Sequence, residues 1–154
     1  MMTDAVAKSD LPSVVAVGIN SNGDKIEFCH GGVSWGKKKK VTTKNLFRIH
    51  SMTKLVTSIA AMQLVEQGKL ELDQDLSKLL PEMASIPMLT VEGELVEAKR
   101  AITLRHLLTH TAGFGYQNIT YKVPAGFDAK NWKYEDFPRQ FESGTRFLYG
   151  TNTD

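Results

Sequence analysis

Ser51-Met52-Thr53-Lys54, followed by Leu55-Val56-Thr57-Ser58-Ile59-Ala60-Ala61-Met62-Gln63-Leu64-Val65-Glu66-Gln67, is the stretch that decides the fold. It holds no proline or glycine before Gly68, and its apolar residues fall on nearly every side of a 3.6-residue turn. It therefore predicts a buried helix that begins near Ser51 and stops at Gly68. At the start of such a helix Ser51 and Lys54 stand at i and i+3 and share a face, which puts the amine within reach of the hydroxyl. The partial positive charge of a helix N-terminus favours the neutral amine, a base able to take the serine proton. The same field favours the oxyanion that forms when a serine attacks a carbonyl.

Serine three residues ahead of lysine recurs at Ser34-Trp35-Gly36-Lys37, so context has to choose. Gly36 and the run Lys37 to Lys40 follow Ser34, and no apolar helix begins there. Gly32-Val33-Ser34-Trp35-Gly36 also spells the Gly-x-Ser-x-Gly nucleophile elbow, which requires a strand before it and a helix after it. A strand over 25–29 is available, but the helix is not. Ser34 is therefore read as part of a glycine-bracketed loop.

A chain of 154 residues, 42% hydrophobic, is long enough for one domain with a real core. The formal charge of +2 gives no sign of a nucleic-acid partner, and the four-lysine block reads as a solvated loop. Cys29 is the single cysteine, which excludes an intrachain disulfide. Its neighbour His30 would point to the opposite face of a strand, so a Cys29-His30 nucleophile pair is not expected. No apolar run is long enough to span a membrane. The first residues lack the basic and apolar regions of a signal peptide, which favours a cytoplasmic location.

Residues 14–19 and 25–29 predict two antiparallel strands joined by the turn Asn20-Ser21-Asn22-Gly23. Residues 31–41 read as loop and 46–49 as a short extended segment. Asp73 is placed to cap a short helix through Leu79 that Pro81 ends. Residues 84–100 read as a long surface excursion. Thr103 is placed to cap a helix over 104–110, stopped by Thr111-Ala112-Gly113. His106 and His110 have a zinc-compatible i, i+4 spacing, but Leu107 stands where a zincin has glutamate and no third ligand is near. They are read as structural, with no metal. From 115 to 144 glycine and proline interrupt the pattern and aromatics are frequent: Tyr116, Tyr121, Phe127, Trp132, Tyr134, Phe137 and Phe141. They either line an apolar pocket or pin an irregular segment onto the helices, and the second reading is favoured.

Phe47-Arg48-Ile49-His50-Ser51-Met52-Thr53-Lys54 resembles the nucleophile block of serine β-lactamase-related enzymes: class C β-lactamases, D-alanyl-D-alanine carboxypeptidases and related esterases and transesterases. Leu64-Val65-Glu66-Gln67-Gly68-Lys69-Leu70, Leu80-Pro81-Glu82 and Ile102-Thr103-Leu104-Arg105-His106-Leu107-Leu108-Thr109-His110-Thr111-Ala112-Gly113 resemble the family's next landmarks, in order and spacing. Tyr149-Gly150-Thr151 resembles the esterase and acyltransferase form of the second motif, with Thr151 in place of an asparagine.

The resemblance implies an α+β, β-lactamase/transpeptidase-like fold: an antiparallel sheet flanked by helices, plus a helical region. It implies Ser51 as nucleophile, Lys54 as base and Tyr149 as the partner that exchanges a proton with Ser51. Thr151 and Asn152 would then contact substrate. The Tyr149 hydroxyl is expected within about 3–5 Å of Ser51 Oγ. Thr151, replacing a carboxamide that in lactamases contacts the substrate amide, leans the reading toward esters. No cofactor is implied.

Only the first part of the family's domain is matched. Residues 1–50 correspond to the strand hairpin and lead-in, and 51–154 to the nucleophile helix and helical region through the tyrosine motif. No Lys-Thr-Gly, and no His-x-Gly after Tyr149, supplies a third motif. Three readings follow. The chain is part of a carboxylic-ester hydrolase or transesterase working through an acyl-Ser51 intermediate on a small ester or acyl substrate. Alternatively it is part of a D-alanyl-D-alanine carboxypeptidase or β-lactamase. The third reading is a non-catalytic or partner-completed module. The hairpin's open edge further suggests pairing with another chain in an oligomer. The first reading is preferred.

Overall fold

Valine-rich strands and an asparagine turn build the first of two units in the computed structural model, Met1–Ile49 and His50–Asp154. The structure describes residues 4, 6, 8, 11–116 and 137–150. β1 (Ser13–Ile19) pairs antiparallel with β2 (Lys25–Gly31), from Ser13 opposite Gly31 to Ile19 opposite Lys25. Asn20 closes the turn as predicted: its Oδ1 accepts from the backbone N–H groups of Asn22 at 3.0 Å and Asp24 at 2.8 Å. Gly23 takes φ +86°, where a Cβ would clash with its own backbone.

Along β2 the rings of Phe28 and His30 stack at 6.4 Å, so His30 faces the side opposite Cys29. After Ser34 the Lys37 N–H bonds back to the Ser34 carbonyl at 3.2 Å, and a lone bridge joins Gly32 to Lys40. The chain there is a turn, without the helix that a nucleophile elbow requires. Residues 46–49, expected to be extended, form no ladder among the described residues.

The second unit opens with a 3-10 turn, His50–Met52, that runs directly into α1 (Thr53–Glu66). Gly68, at φ +68°, ends the helix as expected. Its N–H bonds the Val65 carbonyl at 2.9 Å, and the Lys69 N–H bonds that of Leu64 at 2.9 Å. The expected burial of α1 is corrected. None of its residues is buried, with Leu55 66% and Ile59 52% exposed. Only Lys54, Ser58, Ala61 and Val65 are half-buried, one stripe at i, i+4, i+7 and i+11. A helix apolar on every side needs neighbours all round, and the described residues cover this one along a single line.

Three local expectations also change. The short helix after α1 is a 3-10 turn, Leu76–Lys78, capped by Asp75, whose Oδ1 accepts the Ser77 N–H at 2.9 Å. Asp73 is occupied elsewhere. Its carboxylate holds the Arg105 guanidinium in a two-bond fork at 2.7 and 2.8 Å, and this arginine keeps it below the usual carboxylate range. Pro81 begins a second 3-10 turn, Pro81–Ala84, at a first-turn position that needs no N–H. The excursion 84–100 contains a small hairpin, β3 (Met88–Leu89) with β4 (Leu95–Val96). It is tied down by the Leu89 N–H to the Arg139 carbonyl at 2.7 Å and the Arg139 N–H to the Pro87 carbonyl at 2.8 Å.

α2 (Leu104–Leu108) is shorter than the predicted 104–110 but starts at the predicted cap. Thr103 Oγ1 accepts the His106 N–H at 3.3 Å, and His106 Nδ1 accepts the Thr103 N–H at 3.2 Å. Burial holds His106 below the ordinary imidazole range, consistent with a neutral ring accepting at Nδ1. Leu76, Ile86, Ile102, Ala112 and Phe114 form the core around α2, and Leu89 with Phe137 forms a smaller cluster. Arg139, only 2% exposed, donates to the carbonyls of Arg100 at 2.6 Å and Ile86 at 3.0 Å and to Ser143 Oγ at 3.1 Å. One guanidinium thus fastens the excursion to the segment that leads to Tyr149. Of the aromatics from 115 to 144, Tyr121, Phe127, Trp132 and Tyr134 lie outside the described residues. Phe137 is buried, and Tyr116 is half-buried.

Candidate active site

Ser51 sits at the middle of the 3-10 turn ahead of α1, entered through His50 at φ +46°. A non-glycine residue in that region stores on the order of 1–2 kcal/mol. The turn makes Ser51 exposed at the positive end of the 14-residue helix α1, whose first turn has no acidic residue and no side-chain cap. Lys54, in the first turn of α1, is half-buried on the one covered stripe.

Ninety-eight residues away in sequence, the Tyr149 hydroxyl donates to Ser51 Oγ at 2.6 Å. This is tighter than the 3–5 Å expected, and short for an O–H···O bond. Lys54 Nζ lies 5.1 Å from the centroid of the Tyr149 ring, within range of a cation–π contact. Serine, lysine and tyrosine, three residue types that exchange protons, therefore share one cluster in the His50–Asp154 unit. Thr151 and Asn152 lie outside the described residues.

Several contacts hold Tyr149 in place. The Leu148 N–H bonds the His110 carbonyl at 2.9 Å. The His110 ring lies 4.6 Å from that of Tyr149, and Tyr116 lies 6.0 Å away on a tilted plane. Gly150 approaches Gly115 so closely that a Cβ on it would stand 2.8 Å from the Gly115 Cα. Before these, Gly144 passes His106, where a Cβ would meet Nε2 at 2.9 Å. His110 itself lies past the end of α2 at φ +55°, so His106 and His110 do not form an i, i+4 pair on one helix. Sequence reasoning read His110 as structural and missed its contact with Tyr149. The available signal is a histidine at a helix stop, three residues before Gly113, a place where left-handed backbone is common.

Ser34, the rival nucleophile, lies in the other unit with an exposed lysine loop after it. Among the described residues no cluster of histidine, cysteine, aspartate and glutamate is arranged to hold a metal ion. No helix among them is long and apolar enough to cross a membrane.

Comparison with known proteins gives three kinds of likeness. The sequence profile of the Beta-lactamase family matches residues 1–154. Acyltransferase calJ of Penicillium decumbens is 37% identical over 71% of this chain and 29% of its own length. The lovastatin esterase of Penicillium rubens is 35% identical over 77% of this chain and 34% of its own length. The solved structure of simvastatin synthase LovD from Aspergillus terreus, in its LovD6 mutant form, superposes with a TM-score of 0.81 at 27% identity. That superposition covers 98% of this chain and 40% of the other. The chain thus spans well under half the length of each of these relatives.

Proposed function

The chain belongs to the Beta-lactamase family and takes its β-lactamase/transpeptidase-like fold, and from that premise we propose that it carries the acyl-transfer site of a serine esterase or acyltransferase. The observation that carries the reading is the 2.6 Å bond between Tyr149 and Ser51 beside Lys54 Nζ. Relatives that are named acyltransferase and esterase support an ester or other acyl substrate over a lactam. A threonine at 151, where lactamases place a carboxamide, points the same way.

In this reading the Lys54 amine takes the Tyr149 hydroxyl proton, and the phenolate oxygen so formed takes the proton of Ser51 as Oγ bonds the acyl carbon. The positive end of α1 stabilises the oxyanion of the tetrahedral intermediate. Collapse breaks the bond to the leaving alcohol, which takes the proton back from Tyr149. Water or an acceptor alcohol then loses its proton along the same path, attacks the acyl-Ser51 carbonyl and returns the serine. Thr151 and Asn152 are assigned to substrate contact.

The test uses the full-length protein and p-nitrophenyl butyrate. Ser51→Ala should abolish both the burst and the turnover, and Ser34→Ala should leave kcat/KM unchanged. Activity that survives Ser51→Ala and disappears with Ser34→Ala would sink the assignment.

A further inference from the structure

His110 stands at a junction that the chemistry above does not use. It follows Thr109, the last cap of α2, and its backbone turns left-handed at φ +55°. Its N–H closes the helix on the Leu107 carbonyl at 3.1 Å, while its own carbonyl accepts the Leu148 N–H at 2.9 Å. Its ring meets Phe147 edge-on at 6.0 Å, with planes 79° apart, and Tyr149 at 4.6 Å, tilted by 42°. One residue therefore touches three consecutive positions, 147, 148 and 149, through its carbonyl and its ring.

We propose that His110 is a positioning residue for acyl transfer: its ring fixes the orientation of Tyr149 so that the phenol hydroxyl meets Ser51. The inference rests on the reading of Ser51 and Tyr149 given above. Tyr149 is 36% exposed, so packing alone leaves its ring room to turn. Among the described residues the ring's close neighbours are His110 at 4.6 Å, Tyr116 at 6.0 Å and Lys54 Nζ at 5.1 Å. Of these two described rings His110 is the nearer, and its position is also pinned by the Leu148 hydrogen bond.

A histidine meets two demands together. It tolerates left-handed backbone better than most side chains, and it presents an aromatic face. Asparagine meets only the first demand and phenylalanine only the second. The carbonyl that holds Leu148 survives either substitution, so the pair isolates the ring.

The experiment uses the full-length protein, with p-nitrophenyl butyrate as substrate and thermal melts as the structural control. His110→Asn should keep Tm close to wild type, lower kcat on the order of 10²-fold and leave KM within about twofold. His110→Phe should lower Tm through backbone strain yet recover most of the lost kcat at temperatures where it is folded. Combined with Tyr149→Phe, His110→Asn should add no further loss, because it acts through the phenol. Wild-type kcat in His110→Asn, or additive losses in the double variant, overturns the proposal. A readout independent of turnover is the 19F spectrum of 3-fluorotyrosine-labelled protein, with Tyr149 assigned by its disappearance in Tyr149→Phe. The Tyr149 signal should broaden or split in His110→Asn and be restored in His110→Phe. An unchanged signal in His110→Asn overturns the positioning role. Absence of turnover in the wild-type protein would refute the acyl-transfer reading, while the 19F signal would still judge the positioning.

Discussion

Replacing Gly150 by alanine tests how tightly the tyrosine segment must dock. The new Cβ would stand 2.8 Å from both the Cα and the carbonyl carbon of Gly115 and 3.0 Å from its oxygen. Those atoms are backbone, so neither side can yield by a rotamer change. Carbon atoms at ordinary contact are at least about 3.5 Å apart, so the two segments must open by about 0.7 Å. Tyr149 is the adjacent residue, and its 2.6 Å bond to Ser51 would stretch to the limit of a hydrogen bond. Misplacement of about 1 Å is worth on the order of 10²-fold in rate, or about 3 kcal/mol of transition-state free energy. Overpacking should also lower stability by about 1–3 kcal/mol. The assay is kcat/KM for p-nitrophenyl butyrate with the full-length protein, alongside Tm. Gly18→Ala is the control, since its Cβ meets nothing within 4 Å. Wild-type kcat/KM together with wild-type Tm in Gly150→Ala would show that the close approach does not set the position of Tyr149, and the reasoning would fail.

Lys54→Arg keeps the positive charge but cannot give up a proton in the working range. Acylation should fall by at least about 10²-fold with the circular dichroism spectrum unchanged, as measured by the rate of fluorophosphonate labelling. Arg139→Met removes three hydrogen bonds and leaves the Arg100 and Ile86 carbonyls and Ser143 Oγ without their donor. A loss of about 3–5 kcal/mol is expected in a urea melt. Glu142 accepts the Lys99 and Arg100 N–H groups at 2.8 and 3.0 Å, and these bonds hold its carboxyl below the ordinary range. Its contribution is therefore complete above the unfolded value of about 4.3 and is lost as pH falls below it. Glu142→Gln should flatten the drop in Tm between neutral and acidic pH, and an unaltered pH profile would contradict the assignment.

The parts of the fold visible in the sequence are those set by neighbours in the chain. Asn20 and Gly23 specify a turn by their own chemistry, Gly68 stops α1 by tolerating positive φ, and Thr103 caps α2 through a residue three positions on. The motifs point to Ser51, Lys54 and Tyr149, and the structure brings Ser51 and Tyr149 into hydrogen-bond contact with Lys54 Nζ over the ring. Misses arose where a distant partner decided. Asp73 and Asp75 are equally good caps locally, and only Arg105, 32 residues later, draws Asp73 away. The hairpin β3–β4 has two residues per strand, too few for a period-2 pattern, and is fastened through Arg139. The apolar residues of α1 predict burial, but composition says only that a helix needs cover. It does not say that the cover lies nearby.

The Ser51–Tyr149 bond closes a loop of 98 residues. Bringing together chain ends so far apart carries an entropic penalty of about 4 kcal/mol, whereas the β1–β2 hairpin and the turn of α1 need only local closure. Closing this loop is expected to follow the local elements, once the Arg139 fastening and the core around Ile102 have drawn the tyrosine segment onto the serine turn. Secondary structure should return early on refolding and the Ser51–Tyr149 contact last, so a spectrum rich in helix says little about whether that contact has formed. The Ser51–Tyr149 contact reports on the His50–Asp154 unit, because it requires that unit's first turn and its last described segment to meet.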